Sequence, residues 1–327
     1  MIVSSRGSLG KEKKAMRDVF IERIYERMLT DKNVFFLTAD FGSPVLDKLR
    51  DDFKDRFINV GIAEQNLVNI AAGLATEGFC VYAYAIAPFL TMRAFEQIRN
   101  NLSLLSRAHK LNVNLIGVGA GLSYDLSGPS HHSVEDICIM RALPYIDVIS
   151  PSDWVLAEKI FDYTAENKRP KYLRFDGKPL PAIYDCNSLI DFRKGFVELA
   201  EGDSVCLVST GYMTHTALRV IEELKKEGLK AGLIDLYFLK PFSKLSLSQK
   251  LSKYKYLITI EEGFINKGGL DSLISTLIES EELDIKLKRI GFDDMYVFDV
   301  GSREYLHGKY GLDYGHIVNL VKDIKII

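Results

Sequence analysis

Three short stretches of this chain hold the residue types that move protons or offer a flat apolar surface to a ring. In Asn59-Val60-Gly61-Ile62-Ala63-Glu64-Gln65-Asn66 a carboxylate, Glu64, falls just past a strand-like run and at the head of an apolar helical run, Leu67 to Leu74. A helix N-terminus stabilises negative charge, and in open α/β sheets ligands collect beyond the carboxyl ends of the strands. Glu64 is therefore expected to face a crevice, where a carboxyl group can give or take a proton; the plainer alternative is a helix-capping acid at the surface. A second stretch, Gly119 to Asp136, is a glycine-containing loop after another strand-like run and carries His131 and His132. Imidazole titrates near neutrality, which suits proton transfer. Adjacent side chains point different ways, so a shared metal is not expected, and the pair could instead cap a helix running from Ser133 to Arg141. In the third, Ala87 to Arg99, Phe89 and Phe95 enter a helix, either as packing residues at helical spacing or as a platform for a ring.

The elements that must position these residues follow an α/β rhythm. Apolar residues at Phe20, Ile21, Ile24, Tyr25, Met28 and Leu29 have a helical period, and Val34 to Thr38 reads as a buried strand. Further strands are expected at Phe57 to Val60, Cys80 to Ala85, Val113 to Val118, Val148 to Ser150 and Tyr172 to Phe175, each separated by a helix-length segment. Such alternation predicts a doubly wound parallel sheet. Asp176 to Asp191, with two prolines and a glycine, breaks both periods and reads as a linker. After it, Ser204 to Ser209, Leu233 to Leu236, Tyr256 to Ile260 and Ile285 to Ile290 read as strands, with a helix at Ala217 to Glu227, so a smaller α/β domain is expected. The resulting division is a loosely ordered segment 1–15, a first domain 16–180, a linker 181–192 and a second domain 193–327.

Composition narrows the function classes. The chain has 327 residues, 47% hydrophobic and 26% charged, as an ordinary folded protein has. Its 42 basic and 44 acidic side chains nearly cancel, so no field draws it to nucleic acid or to an anionic membrane. Apolar stretches such as Cys80 to Leu90 fall short of the ~20 residues that span a bilayer, and the N-terminus has no apolar signal core, so a cytoplasmic location is expected. The four cysteines, Cys80, Cys138, Cys186 and Cys206, show neither CxxC spacing nor the density of a disulfide framework.

Gly61-Ile62-Ala63-Glu64-Gln65-Asn66 followed by Ala71-Ala72-Gly73-Leu74-Ala75 resembles the pyrimidine-domain motif of the transketolase family, which includes deoxyxylulose-phosphate synthase and the β subunits of 2-oxo-acid dehydrogenases. The resemblance implies thiamine diphosphate as cofactor and Glu64 as the acid bonded to its aminopyrimidine, with Ile62, Phe89, Arg93, Phe95 and Asp40 around the ring. Phe89 to Gln97 is similar to the family's FxxRAxEQ segment, and Phe89 suits the stacking position best, with Phe95 second. Thr38-Ala39-Asp40 resembles a strand-end segment near the cofactor, although Asp40 could equally be a loop cap. Gly128-Pro129-Ser130-His131 is similar to the family's GPTH motif, whose histidine bonds sugar oxygens and assists proton transfer. His131 takes that role by motif match, with His132, Ser127, Asp125 and Arg174 as further substrate contacts. Ser127 stands where the family has an aspartate, and Asp125 lies two residues earlier. Arg174 could clamp a sugar phosphate bidentately or close an inter-domain ion pair. Ile258-Thr259-Ile260-Glu261-Glu262-Gly263 with Gly268-Gly269-Leu270 resembles the family's C-terminal domain, to which no chemistry is assigned.

The resemblance runs from about Met16 to the end and leaves out the diphosphate-binding domain, whose GDG motif and following Asn hold Mg²⁺. It implies a separately encoded partner carrying that domain, an α2β2 assembly with self-association of this chain, and sugars or sugar phosphates as substrates. The function so implied is two-carbon ketol transfer between sugars. A 2-oxo-acid dehydrogenase E1 β subunit and a deoxyxylulose-phosphate-synthase-like enzyme are alternatives within the family, and a silent scaffold is the alternative outside it.

Overall fold

The computed structural model describes residues 12–326 and holds two parallel-stranded α/β layers. The first sheet has seven strands in the order Phe238–Lys240, Asp147–Ile149, Lys171–Phe175, Asn112–Val118, Cys80–Ile86, Val34–Thr38 and Phe57–Asn59. All neighbours are parallel except the first pair. Parallel strands covered on both faces need apolar residues at every position and not at alternate ones. Asn112–Val118 and Lys171–Phe175 are buried throughout, and where they depart from apolar residues, at Asn112, Asn114, Lys171 and Arg174, the polar side chains are hydrogen-bonded. Helices Met16–Thr30 and Trp154–Glu166 cover one face through Phe20, Ile24, Ile160 and Phe161, while Glu64–Thr76 covers the other through Leu67, Val68, Ala71 and Ala75.

The second sheet orders its five strands Lys286–Phe292, Tyr256–Phe264, Val205–Ser209, Gly232–Leu236 and Phe196–Ala200, the last antiparallel to its neighbour. The doubly wound architecture and the smaller second α/β layer are thus as the alternation of periods requires. Two strands escape the sequence reading. Phe196–Ala200 carries a glutamate and an edge position, and Phe238–Lys240 is three residues long with a lysine at its end. The second is the more consequential: it leaves the second domain in sequence but closes the edge of the first sheet, so the two layers are clasped. Lys240 fixes it by donating hydrogen bonds to the carbonyls of Arg141, at 3.1 Å, and Leu143.

Two stretches outside the expected domains make specific contacts. Of the segment 1–15, residues 1–11 lie outside the described residues, but Lys13–Lys14 pairs antiparallel with Leu180–Pro181 and Ala15 is buried. The stretch 181–192 is held at its start, because Asp153 accepts from the backbone of Ile183 at 2.5 Å and Tyr184 at 2.9 Å. The same carboxylate caps helix Trp154–Glu166 through Leu156 N–H at 2.7 Å. Burial pushes its pKa up to about 6 against these backbone donors. No helix among the described residues is long and apolar enough to cross a membrane.

Candidate functional site

Glu64 opens helix Glu64–Thr76 immediately after the turn that leaves strand Phe57–Asn59. The turn depends on Gly61, whose φ of +74° lies in the left-handed region that side chains disfavour. Asn59 braces it by accepting from the Gly61 N–H at 2.9 Å. The consequence is a carboxylate that is 2% exposed yet sits at a positively polarised helix terminus. Its one hydrogen-bond partner among the described residues is Arg93, whose Nη1 donates to Oε2 at 2.8 Å, leaving Oε1 available.

Arg93 and Phe89 come from the helical stretch after strand Cys80–Ile86. There Phe89–Arg93 winds as a wide π turn, a geometry frequent at functional positions. Thr91 Oγ1 donates to the Ala87 carbonyl at 2.8 Å and helps fix it. The Arg93 guanidinium stands 5.3 Å from the Phe89 ring, and that ring meets His131 edge-on at 5.2 Å. Glu64, Arg93, Phe89 and His131, distant in sequence, thus form one contiguous row. A cavity of about 390 Å³ opens at the middle of the row, lined by Phe89 and Arg93 together with Pro88, Met92, Pro129 and Ser130.

His131 is half-buried, and its Nδ1 lies 3.1 Å from Ser130 Oγ. His132 differs: its ring is buried, neither nitrogen finds a hydrogen-bond partner among the described residues, and burial pushes its pKa below the usual histidine value. The helix expected from Ser133 begins only at Asp136, so neither histidine caps it.

The other expected contacts separate. Arg174 is buried, donating from Nε to Asp136 at 2.8 Å and from Nη2 to the carbonyls of Ser133 at 3.1 Å and Glu262 at 3.2 Å. The geometry is neither of its two sequence readings as they stood: the ion pair is made to Asp136 within the first domain, and what reaches the second domain is a hydrogen bond to the Glu262 carbonyl. Asp125 is likewise turned inward, accepting from the Arg303 N–H at 2.7 Å and pairing with Lys178. Phe95 is partly buried and packs on the core beneath the sheet, the alternative to ring stacking. Ser127 and Ile62 are exposed, Ile62 three-quarters so. Asp40 has a φ of +55° and exchanges hydrogen bonds with Asn59, accepting from its Nδ2 at 3.0 Å; it touches none of the four residues of the row.

The sequence reading missed residues on the other wall of the cavity. Tyr296 and Phe298, from the second domain, line it together with Glu135. Burial raises the Glu135 carboxyl above its ordinary value. Met295-Tyr296-Val297-Phe298 has aromatic residues but no helical or strand context, so nothing in the sequence tied it to a loop more than 150 residues away. Among the described residues no group of three or more His, Cys, Asp or Glu could hold a metal ion.

Comparison with known proteins matches residues 12–181 to the transketolase pyrimidine-binding domain and residues 195–317 to the transketolase C-terminal domain. An apulose-4-phosphate transketolase subunit from Actinobacillus succinogenes is 32% identical over 307 residues, 93% of this chain and 96% of its own. The 6-deoxy-6-sulfo-D-fructose transketolase subunit of a Clostridium species is 28% identical over 310 residues, covering 94% of each. Among solved structures, a split-gene transketolase in an inactive β4 tetramer superposes with a TM-score of 0.84 at 32% identity, covering 94% of this chain and 97% of that one.

Proposed function

We propose, from the premise that this chain belongs to the transketolase family, that it is the cofactor-activating subunit of a split transketolase transferring a two-carbon ketol unit between sugars. The observation that carries the reading is Glu64: a carboxylate buried at a helix N-terminus, with one oxygen tied to Arg93 and the other available, Arg93 itself lying over Phe89 and lining an open cavity. That donor set fits an aminopyrimidine, a flat ring with a weakly basic nitrogen. Thiamine diphosphate, when bound, supplies the electron sink that carbon–carbon cleavage requires.

The residues of this chain then divide the work. Glu64 would hold a proton against the ring nitrogen, and burial strengthens such a hydrogen bond. Arg93 fixes the Glu64 rotamer. Phe89 gives the ring an apolar wall. His131, beyond Phe89, is placed to bond a sugar hydroxyl and to take or return the proton that accompanies bond cleavage. By likeness to the relatives named as transketolase subunits, the diphosphate and Mg²⁺ are assigned to a separately encoded subunit, in an α2β2 complex in the cytoplasm. Solvent-exposed Ile62, Met92, Leu126, Tyr296 and Phe298 supply the apolar surface for that association and for self-association. The relatives named as transketolase subunits support the same division.

The purified pair, with cofactor and Mg²⁺, is expected to move glycolaldehyde units between a ketose, free or phosphorylated, and an aldose. Transfer from no ketose, together with reductive acylation of lipoamide from a 2-oxo acid, would assign the chain to the oxidative decarboxylases instead.

A further inference from the structure

The loop that carries His131 is gripped from the second domain. Its ends are closed by an antiparallel bridge between Gly121 and Ser133, with Gly121 N–H to Ser133 O at 3.1 Å and the reciprocal bond at 2.9 Å. Inside it the chain makes three tight turns: Ser123 N–H to Ala120 O, Ser127 N–H to Tyr124 O and His131 N–H to Gly128 O. These bonds shape the loop, and on the first-domain side it is tied by the Asp125–Lys178 ion pair and the Phe89–His131 ring contact.

Fastening to the second domain comes from Glu262, on strand Tyr256–Phe264, and Arg303, the first residue of helix Arg303–Tyr310. Glu262 Oε2 accepts from the Leu122 N–H at 3.2 Å. The same carboxylate takes a fork from Arg303, with Nε donating to Oε1 at 2.7 Å and Nη2 to Oε2, and is also bonded by His307. Arg303 in turn donates from Nη1 to Asp176 at 2.6 Å and from its backbone N–H to Asp125 at 2.7 Å, within the loop. Its guanidinium stacks 3.5 Å from the Tyr212 ring centre. Gly121 has a φ of +57°, and a methyl group there would collide with the Glu262 carboxylate, so loop and glutamate are fitted to each other.

Glu262, Arg303 and Asp176 are each at least 97% buried. Burial alone would raise the Glu262 carboxyl, but Arg303 and His307 hold it well below the usual carboxylate range. Such a pair is rigid: the fork fixes both side chains, and Leu122 and Asp125 hang from its two members.

We infer that Glu262 and Arg303 are positioning residues for His131, so that the second domain, which supplies no group of the Glu64–His131 row, sets where the proton-handling imidazole stands. The inference rests on the reading of His131 given above. It differs from a general role in stability because Leu122 and Asp125 are specific points of attachment, nine and six residues from His131.

The test pairs hydrogen exchange on the full chain with kinetics of the assembled complex. Glu262→Gln and Asp125→Asn are each expected to raise exchange of the amides of 122–131 by ~10-fold while strands of both sheets keep their protection, since a locally freed loop opens without global unfolding. In the complex, kcat should fall ~10- to 100-fold, as small displacements of a reacting group do, with half-saturation by thiamine diphosphate within ~2-fold because the Glu64 row is untouched. Arg303→Lys, which keeps the charge and loses the fork, should fall between these variants and wild type. Unchanged loop exchange in folded variants, or a rise spread evenly over the chain, overturns the inference. Should Glu262→Gln fail to fold, Arg303→Lys decides, because Asp125→Asn also breaks the first-domain pair with Lys178. His131→Ala separates the two claims: full turnover in that variant removes the function assigned to His131, whereas the exchange result stands or falls by itself.

Discussion

Two buried glutamates of this chain have opposite surroundings. Glu262 is met by a backbone N–H, a guanidinium fork and an imidazole, and no lone pair is left for a ligand. Glu64 is as deeply buried but among the described residues is met by Arg93 alone, on a side chain that is itself half exposed. A carboxylate stripped of water and supplied with one donor is costly to keep in a fold that has no use for it. The contrast teaches that burial does not mark a functional acid; the unfilled part of its hydrogen-bonding capacity does. The two histidines are separated by exposure instead: His131 is half-buried against Phe89, whereas His132 is turned into the protein.

The largest expected effect that sharpens this contrast is on the saturated side. Arg174→Ala leaves Asp136 buried and unpaired, and breaking a buried pair from one side costs about 3–5 kcal/mol. Thermal unfolding should show a marked loss of Tm; an unchanged Tm with a raised KM for a phosphorylated sugar would restore Arg174 as a phosphate ligand. On the unsaturated side, His131→Ala should keep Tm and lower turnover of the assembled complex by ~100-fold, the usual range for loss of a general acid–base group. A Tm loss as large as that of Arg174→Ala would place His131 with the structural residues.

Acid titration separates the two classes further. The folded Glu262 carboxyl is held well below its unfolded value near 4.5, so its contribution is complete above that pH and is lost as the pH falls below it. His215, deeply buried with Nε2 against the Ser152 carbonyl at 2.7 Å, has its pKa lowered by burial from 6.5 to about 4. Between those values the unfolded chain binds the proton first, so stability falls as pH falls through that window. Urea midpoints from pH 7 to pH 4 should therefore decline less steeply in His215→Asn than in wild type; parallel curves would show that His215 is not buried neutral. The smallest effect is at the rim: Ile62→Lys should leave stability within about 0.5 kcal/mol, as exposed substitutions do. It should weaken association with the partner subunit, read by sedimentation, and unaltered association would place the interface elsewhere.

Much of this was legible before any coordinates. Runs such as Val34 to Thr38 and Val113 to Val118 announce buried parallel strands because both faces are covered, and the strand–glycine–helix order around Glu64 fixes where that carboxylate must stand. Arg93 and Phe89 were candidates from the same stretch of sequence. What stayed hidden depends on partners far along the chain. Nothing local says that Asp125 meets Arg303, 178 residues away, or that Arg174 meets Asp136. Both are charged residues whose burial is decided by tertiary pairing, and read singly each resembles a ligand. Phe238–Lys240 was missed because three residues carry no period, and Tyr296 and Phe298 because an aromatic loop has no pattern that names its neighbour.

The central claim is that Glu64 activates a cofactor held largely by another subunit. Its most direct test is Glu64→Gln in the complex with that subunit, an isosteric change that keeps an acceptor but cannot hold the proton. Turnover of two-carbon transfer is expected to fall ~1,000-fold, within the range for a lost general acid–base group, while the complex assembles as in wild type. Turnover equal to wild type in an intact complex would contradict the account.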